Sequence, residues 1–542
     1  MANKLSLTGS ELLVKALESE GADRVFSIPG GQMLGVYEAI RTSPKIDLVV
    51  PRQEGAGALM ACGHALASGK PGVVMSTVGA GVIYEIPGLA YAWLERIPVI
   101  SIAPQVQSWR IKPIQENLQA LDQDELYSPI TKFHSIAYHV RRIPQLVSKA
   151  FKVATMPEPG PVHLDIPVDI AFEKKSFTPQ QLEKLMPGAE KTRYMGRVGA
   201  DPSEIEKARR LIAGSKRPIA LVGRMAARPS CVNALNMFLN RDRIPALSSI
   251  AGFSALPRKI RLYLSTCDLF SNEESCSVFY DADLLIFIEP DEEIARSAQT
   301  IAARSGAGAA IQISSNPEHI HGFVPISAAL AGSPEMILEE LARDIKPKED
   351  EEKRLWVEKL LQKCSRAFEQ ARAAFDRPRR RSLPYVVRML DRFIKEDDFI
   401  VCEGKDAVLA ARLDLENYAA GRVILITENA PRGSGFPLAL GMRSGSTAGR
   451  VFLLTDRRNF KYHCRELQTA SRYGLGICSL VFPDTAPDQK PLSDTEPDFA
   501  RLAESLGVKG FSIKDPEEAF NERLLDEACK EKAGSLFEFR SI

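Results

Sequence analysis

Pro51-Arg52-Gln53-Glu54-Gly55-Ala56-Gly57-Ala58 places one carboxylate between an apolar strand-like run, Asp47–Val50, and a stretch of small residues with helical character, Gly55–Ala67. A strand that hands over to a helix through such a turn is the repeating unit of a parallel sheet covered on both faces. Small residues at the helix entrance let a ligand approach the backbone at the strand's carboxyl end. Residues 1–185 repeat the unit, with strands expected at Arg24–Ile28, Gly72–Ser76, Val99–Ala103 and Val162–Ile166. Helices are expected at Leu7–Glu20, behind Thr8 as N-cap, and at Arg142–Thr155. Two further helix entrances carry glycine, Pro29-Gly30-Gly31 and Val78-Gly79-Ala80-Gly81.

A chain of 542 residues exceeds the size at which one core keeps growing, so two to four domains are expected. Block two, 190–345, again alternates helix and strand, at Ser203–Ala213, Pro218–Gly223, Ala282–Ile288 and Ala309–Ile313. A charged linker and helix occupies 346–380. Block three, 381–542, returns to the first pattern. Its strands are expected at Phe399–Cys402, Val423–Thr427, Val451–Leu454, Gly476–Phe482 and Leu536–Arg540, with helices at Pro384–Phe393, Lys461–Ser471, Phe499–Leu506 and Pro516–Cys529. The fold class is therefore α/β, three consecutive open parallel-sheet domains, with a ligand shared between blocks.

Lys plus Arg (70) and Asp plus Glu (69) nearly cancel, so no global field draws nucleic acid or an anionic membrane. No run of about 18 apolar residues argues for a membrane span. Nine scattered cysteines without a Cys-x-x-Cys pair fit reduced thiols and a cytoplasmic location, and His319 with His321 is too sparse a pair for a metal site. The expected partners are small molecules and copies of the same chain.

Several segments carry a resemblance. They include Gly21-Ala22-Asp23-Arg24-Val25-Phe26-Ser27-Ile28-Pro29-Gly30-Gly31, Arg52-Gln53-Glu54-Gly55-Ala56, Ile114-Gln115-Glu116, Ile130-Thr131-Lys132 and Gly160-Pro161-Val162-His163-Leu164-Asp165-Ile166-Pro167. In the last block they are Gly433-Ser434-Gly435-Phe436-Pro437-Leu438-Ala439-Leu440-Gly441, Arg465-Glu466-Leu467-Gln468-Thr469-Ala470 and Pro497-Asp498-Phe499-Ala500-Arg501-Leu502-Ala503. In this order, over nearly the whole chain, they resemble the thiamine diphosphate (ThDP) enzymes of the acetolactate synthase and 2-oxo acid decarboxylase type.

The resemblance implies a pyrimidine-binding first domain, a central domain and a diphosphate-binding last domain. It also implies a homodimer or dimer of dimers with the cofactor at the subunit interface, so that a lone chain would keep the halves of the site apart. Glu54 would hydrogen-bond N1' of the aminopyrimidine and Gln115 would reach toward the reacting carbon. Pro29, Gly30, Gly79, Gly81, Gly404, Arg432, Gly433, Arg457 and Arg458 would line the cofactor, with Asp456 and Asp484 on Mg2+. The implied activity is decarboxylation or carboligation of a 2-oxo acid or aldehyde.

The sequence departs from the pattern around the diphosphate. Leu454-Thr455-Asp456-Arg457-Arg458-Asn459 has side chains where the family has the glycines of Gly-Asp-Gly. Arg432 stands where an apolar Met precedes Gly, Gly404-Lys405-Asp406 replaces Gly-Gln-His, and the segment between Pro483 and Pro497 is short. Arg457 would then collide with diphosphate, pair with it directly, or belong to a salt-bridged turn. In the central block, Glu289-Pro290-Asp291-Glu292-Glu293 is acidic where flavin-binding relatives carry Gly-Ala-Arg, which argues against FAD. Two alternatives stand beside the thiamine enzyme: a ThDP-type fold that has given up the cofactor for another anionic ligand, and a noncatalytic partner of an intact homologue. Tyr84, Trp93, Trp109 and Tyr462 are candidate pocket aromatics.

Overall fold

The structure is a computed structural model and describes residues 4–111, 119–193, 197–257, 260–267, 281–304, 308–343, 350–375, 382–446, 448–483, 497–516 and 520–540. Three six-stranded sheets organise it, and every strand pair within them is parallel.

The first sheet runs, in spatial order, Asp47–Val49, Arg24–Ser27, Gly72–Met75, Val99–Gln105, Val162–Pro167 and His134–Ile136. The third runs Val423–Leu425, Phe399–Cys402, Val451–Asp456, Cys478–Phe482, Ser535–Phe539 and Lys509–Ile513. Numbered along the chain within each sheet, both read 2-1-3-4-6-5. The central sheet, from Tyr263–Thr266 and Ala246–Ser248 through Pro218–Val222, Leu284–Ile288 and Ala309–Ser314 to Ala328–Ala331, reads 3-2-1-4-5-6, the doubly wound order of dinucleotide-binding folds. Continuous apolar runs make these strands because both faces are covered. Leu284-Leu285-Ile286-Phe287-Ile288 is buried at every position.

Sequence missed the sheet strands His134–Ile136, Ala246–Ser248, Tyr263–Thr266, Ala328–Ala331 and Lys509–Ile513, and also a two-stranded antiparallel ribbon of Leu5–Thr8 with Lys174–Phe177 that ties the start of the first domain to its end. Its exposed Lys174, Lys175 and Ser176 give no apolar signal. The helix that follows, Gly9–Ser19, opens with the expected Thr8 cap, completed as a capping box by Glu11.

Four helices position the site: α1 (Glu54–Ser68), α2 (Ala80–Leu94), α3 (Gly435–Gly445) and α4 (Arg457–His463). The small residues of α1 and α3 serve close packing of the first domain on the last. A Cβ on Gly63 would strike the Leu438 carbonyl, and one on Gly441 the Met60 carbonyl, so the two backbones touch. His64 seals the crossing, with Nδ1 3.1 Å from Ser444 Oγ and Nε2 3.0 Å from Asp23. Leu59, Met60, Phe436, Leu438 and Met442 belong to one hydrophobic core that runs through both domains.

The helix expected at Lys461–Ser471 is broken. It ends at His463, passes through a short 3-10 turn at Cys464–Glu466, and resumes as Leu467–Tyr473. The break turns Glu466 inward, where its carboxylate accepts the Arg52 amide at 2.9 and 3.1 Å and the Thr469 hydroxyl at 2.7 Å. Among the described residues no helix is long and apolar enough to cross a membrane.

Candidate functional site

Open parallel sheets bind ligands where the strand order reverses, because neighbouring loops there part to opposite faces. In the first sheet that point lies between Arg24–Ser27 and Gly72–Met75, and Pro29-Gly30 and Thr77-Val78-Gly79 extend from it. In the third it lies between Phe399–Cys402 and Val451–Asp456, followed directly by Glu403-Gly404 and by Asp456 at the strand end. Crossing of α1 and α3 turns the edges of these regions toward one another.

A cleft of about 280 Å³ results, with Gln53, Gly55, Leu59 and Tyr84 on one side and Arg432, Tyr462, His463 and Arg465 on the other. Both walls come from one chain. The reason is the glycine contact of α1 with α3, invisible from either helix alone. Of the four candidate aromatics, Tyr84 and Tyr462 reach the cleft. Trp109 is 69% exposed elsewhere, and Trp93 carries the Arg96 guanidinium on its ring.

On the first-domain wall, Glu54 begins α1 and is half-buried. Orphan amides at a helix start favour a carboxylate there. Its charge is felt by Tyr37, whose hydroxyl is raised mainly by burial, and by Glu85, which lies one turn into α2 and is wholly buried. Burial pushes the Glu85 carboxyl up, and Ser101, Ser76 and His163 counter it in part. No sequence pattern marks Glu85, which occupies an apolar position of a small-residue helix. Beneath it Ser101 Oγ is 2.8 Å from His163 Nδ1, and His163 Nε2 is 3.0 Å from Asp165, all sealed from solvent.

Three neutral amides and hydroxyls, also missed, join the glycine turns. Thr77 Oγ1 donates to Gln32 Oε1 at 3.1 Å, and Gln32 Nε2 donates to Gln119 Oε1 at 3.1 Å. A Cβ on Gly30 would press on Thr77 at 2.5 Å, one on Gly79 on Gln119 at 3.2 Å, and one on Gly81 on Thr77 at 2.8 Å. The backbone at Gly30, Gly79 and Gly81 therefore packs tightly around this crossing. Pro29 is exposed beside it. Gln115 lies outside the described residues.

On the last-domain wall, Gly404 and Gly433 hold φ of +96° and +81°, a region that only glycine enters without strain. A Cβ on Gly404 would collide with the Asp456 carboxylate, and one on Gly433 with Tyr462. Asp456 caps α4, accepting Asn459 N at 2.8 Å and Asn459 Nδ2 at 3.0 Å. Arg457 is held by the fully buried Glu538 at 2.5 Å. Arg457 is thus ion-paired, but with a buried last-strand glutamate and not within a surface turn of neighbouring aspartates. Arg458 is partly buried on the same helix, and Arg432 is exposed at the cleft. His463 is buried with Nδ1 unpartnered, and burial, followed by the Arg465 charge, lowers it to about 4. It is therefore neutral near pH 7.

The residue with the largest consequence is Glu403, 4% exposed, whose Oε2 accepts the Gly435 amide at 3.1 Å and the Thr455 hydroxyl at 3.4 Å. Burial raises its carboxyl to about 7, against the pull of the Gly435 amide and with Asp456 adding to the rise. The Gly435 amide and the Thr455 hydroxyl that Glu403 engages are also the donors that an oxygen of a diphosphate group would need here. Metal ligation is sparser: Asp456 is in place, Asp484 lies outside the described residues, and among the described residues no group of three or more His, Cys, Asp or Glu could hold an ion.

The central crevice, between Pro218–Val222 and Leu284–Ile288, is lined by carboxylates of its own. Asp291 accepts the Arg224 amide at 3.1 Å and the Ser249 hydroxyl at 2.6 Å, Glu293 the Ile250 amide at 2.8 Å, and Glu289 the Ser315 amide at 2.6 Å.

Residues 7–126 match the N-terminal TPP binding domain of the thiamine pyrophosphate enzymes, and residues 205–341 match their central domain. The chain is 28% identical to the acetolactate synthase large subunit of Haemophilus influenzae, over 98% of this chain and 94% of that protein. It is 27% identical to the probable acetolactate synthase large subunit of Methanocaldococcus jannaschii, covering 94% and 88% of the two chains. With the acetolactate synthase isozyme 3 large subunit of Escherichia coli K12 the identity is 26%, over 99% and 94%.

Proposed function

Because the chain belongs to the thiamine pyrophosphate enzymes of the acetolactate synthase type, we propose that it is a ThDP-dependent carboligase or decarboxylase acting on a 2-oxo acid or aldehyde. The observation that carries this is the position of Glu54, at the start of α1 and beside a cleft whose opposite wall comes from the diphosphate-type domain. End-to-end likeness to proteins named as acetolactate synthases supports it over loss of the cofactor or a noncatalytic role.

When bound, ThDP supplies the carbon nucleophile and the electron sink that carbonyl addition and decarboxylation need. Glu54 would hold the proton at the pyrimidine N1' atom, and Gln115 would face the reacting carbon. The turns at Gly30, Gly79 and Gly81 would support the pyrimidine, and the amides around Gly433 and Gly435 would take diphosphate oxygens. Asp456, with Asp484, would bind Mg2+. Arg432 and Arg465 give the cleft positive charge that suits the carboxylate of a 2-oxo acid. His463, neutral near pH 7, would add no charge of its own. Tyr84 and Tyr462 would shield the reacting atoms from water.

Residues 1–185, 190–345 and 381–542 would be the pyrimidine-binding, central and diphosphate-binding domains. We assign no flavin to the central domain, since its crevice presents carboxylates. Ile83, Tyr84 and Tyr462, 48%, 54% and 54% exposed in the lone chain, support burial in a dimer or dimer of dimers. A soluble, cytoplasmic enzyme accords with the scattered free cysteines.

Isothermal titration of the purified protein with ThDP and Mg2+, followed by assay of carbon dioxide release from a panel of 2-oxo acids, tests this function. Saturable binding with turnover is expected. Absence of binding at millimolar ThDP would reject it.

A further inference from the structure

The switch point of the last sheet is where an incoming anion would find backbone donors, and a side chain of this chain already stands there. Glu403 follows the strand Phe399–Cys402 directly, and its own amide donates to the Leu454 carbonyl of the neighbouring strand, which fixes its backbone in the crevice. The carboxylate is turned onto the first amide of α3, Gly435 N, at 3.1 Å. A Cβ on Gly435 would lie 2.8 Å from Glu403 Oε2 and 3.1 Å from Glu403 Cβ, so the side chain fills the space over that glycine. Thr455 and Gly435 are neutral donors, and among the described residues no Lys or Arg forms an ion pair with Glu403. A buried carboxylate without a cationic partner is costly to keep. A second observation marks the place as built for a ligand: His463, 8% exposed and with its buried Nδ1 unpartnered, packs beside Gly433 and lines the cleft.

We propose that Glu403 is a built-in occupant of the phosphate cradle of the last domain, holding the amides at the start of α3 so that a diphosphate group binds only by displacing it. The inference rests on the ThDP assignment for the identity of the natural ligand, but the competition is a property of this chain's own residues. It makes Glu403 a residue that sets cofactor affinity, and it predicts weak retention of diphosphate ligands by the wild-type chain. No bond forms or breaks in the exchange: one set of oxygens leaves the amides and another takes its place.

The test uses the full chain and two probes, inorganic pyrophosphate and ThDP, each with Mg2+, titrated by calorimetry into the wild type, Glu403→Ala and Glu403→Gln. Removal of a charged competitor for one or two amide bonds should tighten pyrophosphate binding by roughly tenfold or more in the Ala variant, and by less in the Gln variant, which still fills the space. ThDP should follow the same order. Equal or weaker pyrophosphate binding by Glu403→Ala overturns the proposal, and lost thermal stability without a gain in affinity would mark Glu403 as a structural cap of α3. Should the Ala variant not fold, the Gln variant decides, and unchanged pyrophosphate affinity in it is likewise contrary. A gain for pyrophosphate while ThDP fails to bind any variant would uphold the occupied cradle and reject the thiamine assignment.

Discussion

The first and last domains share one strand order, 2-1-3-4-6-5, and differ in what stands at the crevice. In the first, the loops at the reversal carry neutral Gln32, Thr77 and Gln119, joined by hydrogen bonds of 3.1 Å. In the last, the buried carboxylate of Glu403 sits on the Gly435 amide, and Arg457 is drawn away to Glu538. The same scaffold has thus kept a ligand-ready half and a half that satisfies its own donors. Two copies of a fold can be read alike from topology while their sites diverge, because a strand order is fixed by many buried side chains and a site by a few.

The largest effect expected on the ligand-ready side is that of Glu54→Gln. It should lower kcat by about 10²-fold or more while ThDP affinity stays within a few-fold, since an amide cannot hold the required proton. Steady-state kinetics with calorimetry on the same samples checks this, and unchanged kcat would remove Glu54 from the chemistry.

On the self-satisfied side, Arg457→Ala leaves Glu538 buried without its guanidinium. A cost of about 3 kcal/mol is expected in denaturant unfolding, moderated by the Ala500 amide and Arg540, each 3.3 Å from Glu538 Oε2. A neutral result would mean that Arg457 is free to serve a ligand instead. Between the two halves, Gly441→Ala should cost about 2 kcal/mol by forcing α1 and α3 apart. Its thermal midpoint should fall, and a variant as stable as the wild type would question the crossing.

The smallest effect is on pH dependence. Glu403, raised to about 7 from 4.5, is protonated more readily in the folded than in the unfolded chain. Its contribution to stability is therefore fully present below about pH 4.5 and is lost as pH rises toward 7, with no further change above. Glu85 and Glu466, also raised, slope in the same direction. The difference in thermal midpoint between wild type and Glu403→Gln across pH 4.5 to 7 isolates Glu403, and parallel curves would contradict its raised value.

The alternation of apolar runs and small-residue helix entrances made most strands of the first and last sheets and three of the central sheet legible, because parallel strands buried on both faces leave an unbroken apolar record; the short strands His134–Ile136, Ala246–Ser248, Tyr263–Thr266, Ala328–Ala331 and Lys509–Ile513 were not anticipated. Thr8 as N-cap and the strand Phe399–Cys402 are found as expected. The edge ribbon at Lys174–Phe177 was not legible, since its exposed polar residues pair through backbone alone. Glu54 stood out as one carboxylate among small residues. Glu403 and Glu85 did not, because nothing local says that a glutamate after a strand or inside a helix will be sealed from water. Nor did the order of motifs reveal that α1 and α3 meet within one chain, as that depends on Gly63 and Gly441 facing carbonyls far away in sequence.

Hydrogen exchange of the full chain with and without ThDP and Mg2+ tests most directly whether the two unequal halves form one cofactor site. Protection appearing together at residues 52–58, 76–82 and 431–436 is the predicted result. Protection confined to one domain, or none at saturating cofactor, would contradict it.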